Sequence, residues 1–183
     1  MENDILLEKR TLVHKGSILD YYEDIMSFPN GNKATWDYIE HKPVVAFFPV
    51  DVKTGKILCV KQYRHAIESE SIEIPAGGIN DNETPFDGAI RELSEETGYE
   101  CVDSDASAQV SKLIEMYTSV GYTNEKIYIF YGNVVKKRSQ SLDENEYVNI
   151  ILLDKDEIRN MILNGEIKDG KTIAAFFAYF NIV

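Results

Sequence analysis

Residues 77–99 read GGINDNETPFDGAIRELSEETGY, and this stretch constrains the fold more than any other. It sets four glutamates, Glu83, Glu92, Glu95 and Glu96, around one arginine, Arg91, with Gly77 and Gly98 bounding the run. Thr84 suits a helix N-cap and Pro85 the first helical position. Asp87 falls in the first turn, where the helix dipole favours an acid. The predicted helix runs through Ala89, Ile90 and Leu93 and stops at Gly98, a residue type that commonly follows a helix C-terminus. Phe86, Ile90 and Leu93 supply its buried side. Glu92 and Glu96 are four apart and share a face, with Glu95 beside it and Glu83 in the loop leading in. Like charges at this spacing cost a bare helix on the order of 0.2–0.5 kcal/mol per pair. A hard cation that takes oxygen ligands reverses that penalty. A solvated acidic face would also carry E-x-x-x-E, but it gives no reason for the glycines and the arginine at fixed offsets.

The rest of the composition narrows the partners. A chain of 183 residues can bury one proper core and carry a small appendage. The formal net charge is −12, which argues against nucleic acid, because phosphate-backbone binding needs lysine and arginine. A phosphorylated small molecule is compatible with that charge if metal ions carry the positive charge at the site. No apolar run reaches transmembrane length, and MENDILLEKR lacks the form of a signal peptide, so neither a membrane nor export is expected. Cys59 and Cys101 have no metal-ligand spacing and read as reduced thiols of a cytoplasmic protein. His14, His41 and His65 show no ligand spacing either.

Along the chain, residues 6–41 read as three short strands, with PNGN at 29–32 as a hairpin turn. VVAFFPVDV (44–52) and KILCVKQYR (56–64) form a second hairpin through KTG. SIEIPAGG (71–78) reads as one strand leading into the acidic stretch. KLIEMYTS and KIYIFYGNVV are strands around the SVGYTNE loop, and YVNIILLD is another. Asp154 and Glu157 make a capping pair for a helix that Gly165 closes, and KTIAAFFAYFNI is a final buried helix. The pattern predicts an α+β fold of the α/β/α sandwich type with a mixed sheet. An N-terminal antiparallel β unit occupies 1–42 and the main domain 43–183. The N-terminal unit reads either as a dimerisation arm or as extra strands on a sheet edge.

The 77–99 segment resembles the Nudix box, G-x5-E-x7-R-E-U-x-E-E-x-G-U with U bulky and apolar, and Tyr99 stands where an aliphatic is usual. Beyond it, VKQYRHAIE (60–68), EIPAGGI (73–79), SVGYTNEKI (119–127) and DENEYV (143–148) are similar to segments of the ADP-ribose pyrophosphatase branch. The resemblance implies a Nudix hydrolase that splits ADP-ribose, or a related nucleotide sugar such as GDP-mannose, using Mg2+, with Mn2+ able to substitute. ADP-ribose would give AMP and ribose 5-phosphate. By that resemblance Glu92, Glu96 and the backbone carbonyl of Ala76 are metal ligands, Glu146 reaches a further metal, and Glu95 holds a water on the metal. Arg91 orients the carboxylates and Glu144 is the general base. Arg64 contacts the substrate phosphates and Glu73 the substrate's polar groups. Trp36 matches an aromatic that stacks on adenine across a homodimer, although a lone tryptophan in a strand also reads as sheet packing. Val120, next to Gly121 in the substrate loop, replaces the branch's usual proline and leaves that loop less stiff. A non-catalytic ADP-ribose sensor is the rival reading. Such proteins usually lose box carboxylates, and none is missing here.

Overall fold

Strand β4 (Val44–Asp51) shows how the layers are built. Ala46 and Phe48 pack with Ile158, Ile167, Ala175 and Phe176. Their neighbours Val45 and Phe47 pack with Ala89 and Leu93. Successive side chains of a strand point to opposite faces, so α1 (Pro85–Thr97) covers one side of the sheet. Helices α2 (Lys155–Leu163) and α3 (Gly170–Ile182) cover the other. A strand buried on both faces needs a continuous apolar run, which VVAFF provides. This computed structural model describes residues 5–102, 110–142, 144, 145 and 147–182.

The chain forms two compact units. One takes in the chain up to Pro43 together with Tyr117–Lys126, and the other takes in Val44–Met116 and the chain from Ile127. The sheet of the second unit also contains β5 (Ile57–Arg64), β8 (Tyr99–Cys101), β10 (Lys126–Lys136) and β11 (Val148–Leu153), in the order β11-β5-β4-β10-β8. β4 and β10 run parallel and the other pairs on this path antiparallel, so the sheet is mixed. β9 (Ser111–Tyr117) pairs with β10. This is the predicted α+β sandwich.

The expected single strand over 71–78 is corrected to two. β6 (Ser69–Glu73) pairs with β5, and β7 (Ala76–Gly78) pairs with β4. The switch falls at Ile74-Pro75. Proline has no N–H for a ladder. The Ile74 N–H leaves the sheet for Thr172 Oγ1 at 2.8 Å, and the Pro75 carbonyl accepts from Phe47 N. The three-residue β8 and a 3-10 turn at His65–Ile67 were not expected, since both are too short to show a period. The α2 capping box forms as predicted between Asp154 and Glu157.

In the first unit, β1 (Leu6–Lys15), β2 (Leu19–Ser27) and β3 (Lys33–His41) make an antiparallel sheet of their own. The 29–32 turn is present, with Gly31 at φ +81. Arg10 forks onto Asp24 at 2.8 and 2.7 Å and lies 3.9 Å from the centre of the Tyr38 ring. The loop after β9 is stitched to β3: Ile39 donates to the Tyr122 carbonyl, and Asn124 donates back to Ile39.

Candidate active site

The acidic helix begins as its sequence dictates. Thr84 Oγ1 accepts from Asp87 N at 3.1 Å, and Pro85 occupies the first turn. It ends at Gly98, whose φ of +67 favours glycine and whose N–H reaches the Ser94 carbonyl. Between these ends the helix presents its glutamates to β7. Gly77 is the close approach: a methyl group there would collide with the Glu92 carboxyl. Glu96 is buried, and its Oε2 accepts the Ala76 N–H at 3.1 Å. The carboxylates of Glu92 and Glu96 therefore stand against the Ala76–Gly78 strand because that strand carries no bulk.

Arg91 ties the acids together. Its guanidinium donates to Glu83 at 2.8 and 3.0 Å, to Glu92 at 2.7 Å, to Glu95 at 2.9 Å and to the Gly78 carbonyl at 2.8 Å. The i,i+4 pair with Glu95 is thus only one of its contacts. Hydrogen bonds from Arg91 hold the Glu83 carboxyl below the usual carboxylate range. The hydrogen bond to Glu83 in turn makes Arg91 still harder to deprotonate.

Among the described residues no three His, Cys, Asp or Glu side chains form a closed metal cage. The donor chemistry nonetheless fits a hard divalent ion. Mg2+ demands oxygen ligands, keeps several waters and takes only one or two carboxylates. Glu92 and Glu96 supply two such carboxylates, both set against the β7 backbone, and the Ala76 carbonyl would be the third oxygen ligand. No thiol competes for the chemistry, because burial pushes Cys59 up to about 12 and Cys101 up to about 11. A cavity of about 630 Å³ lies against Phe86, Ile90, Ser94, Lys137 and Arg138. Arg91 alone of the candidate residues lines it, so the carboxylates and not this cavity mark the site.

A second cluster sits at the end of β5. Arg64 forks onto Glu73 at 2.8 and 2.7 Å. Glu73 is 2% exposed, and its Oε2 also takes Lys171 Nζ at 2.5 Å. Burial opposes ionisation of Glu73, but the bonds from Arg64 and Lys171 outweigh it and hold its carboxyl down at about 2. The hydrogen bond that Arg64 donates to Glu73 chiefly raises Arg64, and the charge of Glu96 adds to it, which links this cluster to the acidic helix. Nothing in the sequence reading singled out Lys171. A lysine two residues into an apolar helix gives no spacing signal.

The segment 136–141 straps the end of α1. Lys136 Nζ reaches the Thr97 carbonyl at 2.6 Å, and Ser141 N reaches that of Glu95 at 2.8 Å. Gln140 gives one amide proton to the Glu96 carbonyl at 2.7 Å and one to the Val148 carbonyl at 3.0 Å. Gln140 was also missed, since its bonds are to backbone. Glu144 lies exposed in a turn just beyond this strap. Glu146 lies outside the described residues. Arg64, Glu73, Ala76, Arg91, Glu92, Glu95, Glu96 and Glu144 belong to the second unit. Trp36, Val120 and Gly121 belong to the first, where Trp36 is half-exposed with its ring 5.9 Å from that of Phe28, and Val120 is exposed.

Comparison with known proteins identifies the family. The NUDIX domain matches residues 40–176, well over half the chain. The ADP-ribose pyrophosphatase of Bacillus subtilis (strain 168) is 31% identical over 175 residues, which is 92% of this chain and 91% of that one. The methanol dehydrogenase activator of Bacillus methanolicus is 34% identical over 176 residues, 93% and 91% of the two chains. A GDP-mannose pyrophosphatase of Escherichia coli O1:K1 / APEC is 30% identical over 131 residues, 67% and 65% of the two. The crystal structure of an ADP compounds hydrolase matches with a TM-score of 0.79 over 96% of this chain and 91% of that one. At 17% identity that likeness shows the fold alone. The box, the sandwich and these relatives agree: the chain belongs to the Nudix family of hydrolases.

Proposed function

We propose that this Nudix hydrolase cleaves the diphosphate of ADP-ribose or a closely related nucleotide sugar. Water attacks one phosphorus, a phosphorus–oxygen bond of the diphosphate breaks, and ADP-ribose yields AMP and ribose 5-phosphate. The observation that carries the reading is the placement of the Glu92 and Glu96 carboxylates against the Ala76–Gly78 strand, where a side chain at position 77 would displace the Glu92 carboxyl. Glu92, Glu96 and the Ala76 carbonyl would hold Mg2+, or Mn2+ in its place. Bound there, such ions neutralise phosphate charge and make water a better nucleophile at neutral pH. Arg91 keeps the glutamates apart and oriented, Glu95 would hold a metal-bound water, and Glu144 takes the proton of the attacking water. Arg64 contacts the substrate phosphates, since a planar guanidinium fork matches phosphate geometry.

The names of the Bacillus subtilis and Escherichia coli relatives support a nucleoside diphosphate sugar as the substrate class. We place Trp36, Val120 and Gly121 on the base and sugar side, and assign this protein to the cytoplasm. We also infer a homodimer through the first unit. Leu6, Leu7, Leu12 and Val13 of β1 and Ile18 beyond it are all exposed, which is costly for a sheet left in water. The test is phosphate release, after phosphatase coupling, from ADP-ribose, GDP-mannose, ADP-glucose and NADH with Mg2+. The expected result is fastest turnover of ADP-ribose. Preference for GDP-mannose would move the specificity to the alternative. Binding of ADP-ribose without hydrolysis of any compound would overturn the reading in favour of a sensor.

A further inference from the structure

Lys171 is a buried lysine that the proposed reaction does not use. It lies in the first turn of α3, 9% exposed, with Nζ 2.5 Å from Glu73 Oε2 and 3.0 Å from Asp169 Oδ1. The same turn is fastened to the next residue of the strand. Thr172 Oγ1 donates to Asp169 Oδ2 at 2.5 Å and accepts the Ile74 N–H at 2.8 Å. The start of α3 therefore grips the chain at both Glu73 and Ile74.

Stability alone does not explain this arrangement. Removing two or more charges from water costs as much as their attraction returns, and apolar residues of the same volume often hold a core better. The ionic set does something that apolar packing cannot. It keeps Glu73 ionised and fixes the plane of its carboxylate, with Oε1 taken by Arg64 Nε and Oε2 shared between Arg64 Nη2 and Lys171. That plane sets the plane of the Arg64 guanidinium, because a forked pair is coplanar. Two of the five guanidinium N–H donors go to Glu73, and the other edge of the group is not used in this pair. Arginine side chains carry about 2 kcal/mol of rotamer entropy, and a fork already held loses less of it on meeting an anion.

We infer that Lys171 is a positioning residue for substrate: it holds the Glu73 carboxylate, which holds the Arg64 guanidinium in the orientation that receives a substrate phosphate. This rests on the reading of Arg64 as a phosphate ligand. It also gives Glu73 a different task from direct contact with substrate, since both its oxygens are engaged inside the protein.

A double-mutant cycle tests it, with full steady-state kinetics on the best substrate of the nucleotide-sugar panel and saturating Mg2+. The variants are Arg64→Gln, Lys171→Met, the two combined, and Lys171→Arg. Arg64→Gln is expected to raise KM by about tenfold or more, the scale of one lost charge-assisted hydrogen bond. Lys171→Met is expected to raise KM by up to about tenfold with kcat changed less than about twofold, because Arg64 remains but its fork is no longer held for the phosphate. Lys171→Arg should restore most of the KM, and the double variant should be no worse than Arg64→Gln. If Lys171→Met does not fold, Lys171→Gln, which keeps a donor and removes the charge, takes its place. An unchanged KM in the Lys171 variant, or multiplied effects in the double, overturns the inference while Arg64 keeps its role. An unchanged KM in Arg64→Gln overturns both.

Discussion

Two charged clusters lie close together in the second unit, and they are built on opposite principles. The acidic helix gathers Glu83, Glu92, Glu95 and Glu96 about Arg91, four acids to one cation. The cluster at the end of β5 sets Arg64 and Lys171 against Glu73 and Asp169, two cations to two acids. The balanced cluster is complete as it stands, with each charge answered by a neighbour. The acidic one carries an excess of negative charge that a folded protein has no structural reason to concentrate, and its donors are all oxygen. On the proposed reading, imbalance marks where a cation would bind, and balance marks what would hold Arg64 toward substrate.

If this contrast is right, removing one charge has opposite consequences in the two places. Glu96→Gln in the acidic cluster should reduce turnover by about 1,000-fold, the equivalent of several kcal/mol of lost charge stabilisation. Its melting temperature should stay at or slightly above that of the native chain, because a like charge has been removed. Near-normal turnover would break the assignment of that cluster to metal. Glu73→Ala should do the reverse where stability is concerned. It leaves a buried lysine and an arginine without their anion and should cost about 3 kcal/mol in urea denaturation.

Acid should separate the clusters further. The Glu73 carboxyl is held at about 2 when folded, against an ordinary value of 4.5. A depressed carboxylate contributes stability above its unfolded value and loses it as the pH falls toward its folded one. Between pH 6 and pH 3 the native chain should therefore lose about 2 kcal/mol more than Glu73→Gln, measured by urea denaturation at both values. Equal losses would mean that Glu73 is not held ionised. The smallest effect belongs to the strap. Gln140→Met leaves the carbonyls of Glu96 and Val148 without its amide and should cost about 1–2 kcal/mol in the same assay. Mg2+ affinity should not change, since the Glu96 side chain is untouched.

The acidic cluster was legible in the sequence and the balanced one was not, for a physical reason. Glu92, Glu95 and Glu96 act from one helix, so their spacing is their geometry, and Thr84, Pro85 and Gly98 announce where that helix starts and stops. Lys171 meets Glu73 across 98 residues of chain, and no periodicity records such a contact. The sheet followed the same division. VVAFF disclosed a strand buried on both faces, whereas the break of 71–78 into β6 and β7 depends on a bond from Ile74 to Thr172 that only the folded chain makes. Gln140 escaped notice because both of its partners are main-chain carbonyls, which leave no trace in residue types.

The most direct test of the central claim is calorimetric titration of Mg2+, and of Mn2+ in parallel, into the native chain and into Glu96→Gln. The account predicts saturable binding to the native chain and a loss of about tenfold or more in affinity for Glu96→Gln, because one of few carboxylate ligands has gone. Equal binding by the two proteins would contradict it, and the excess acid of the helix would then be surface charge.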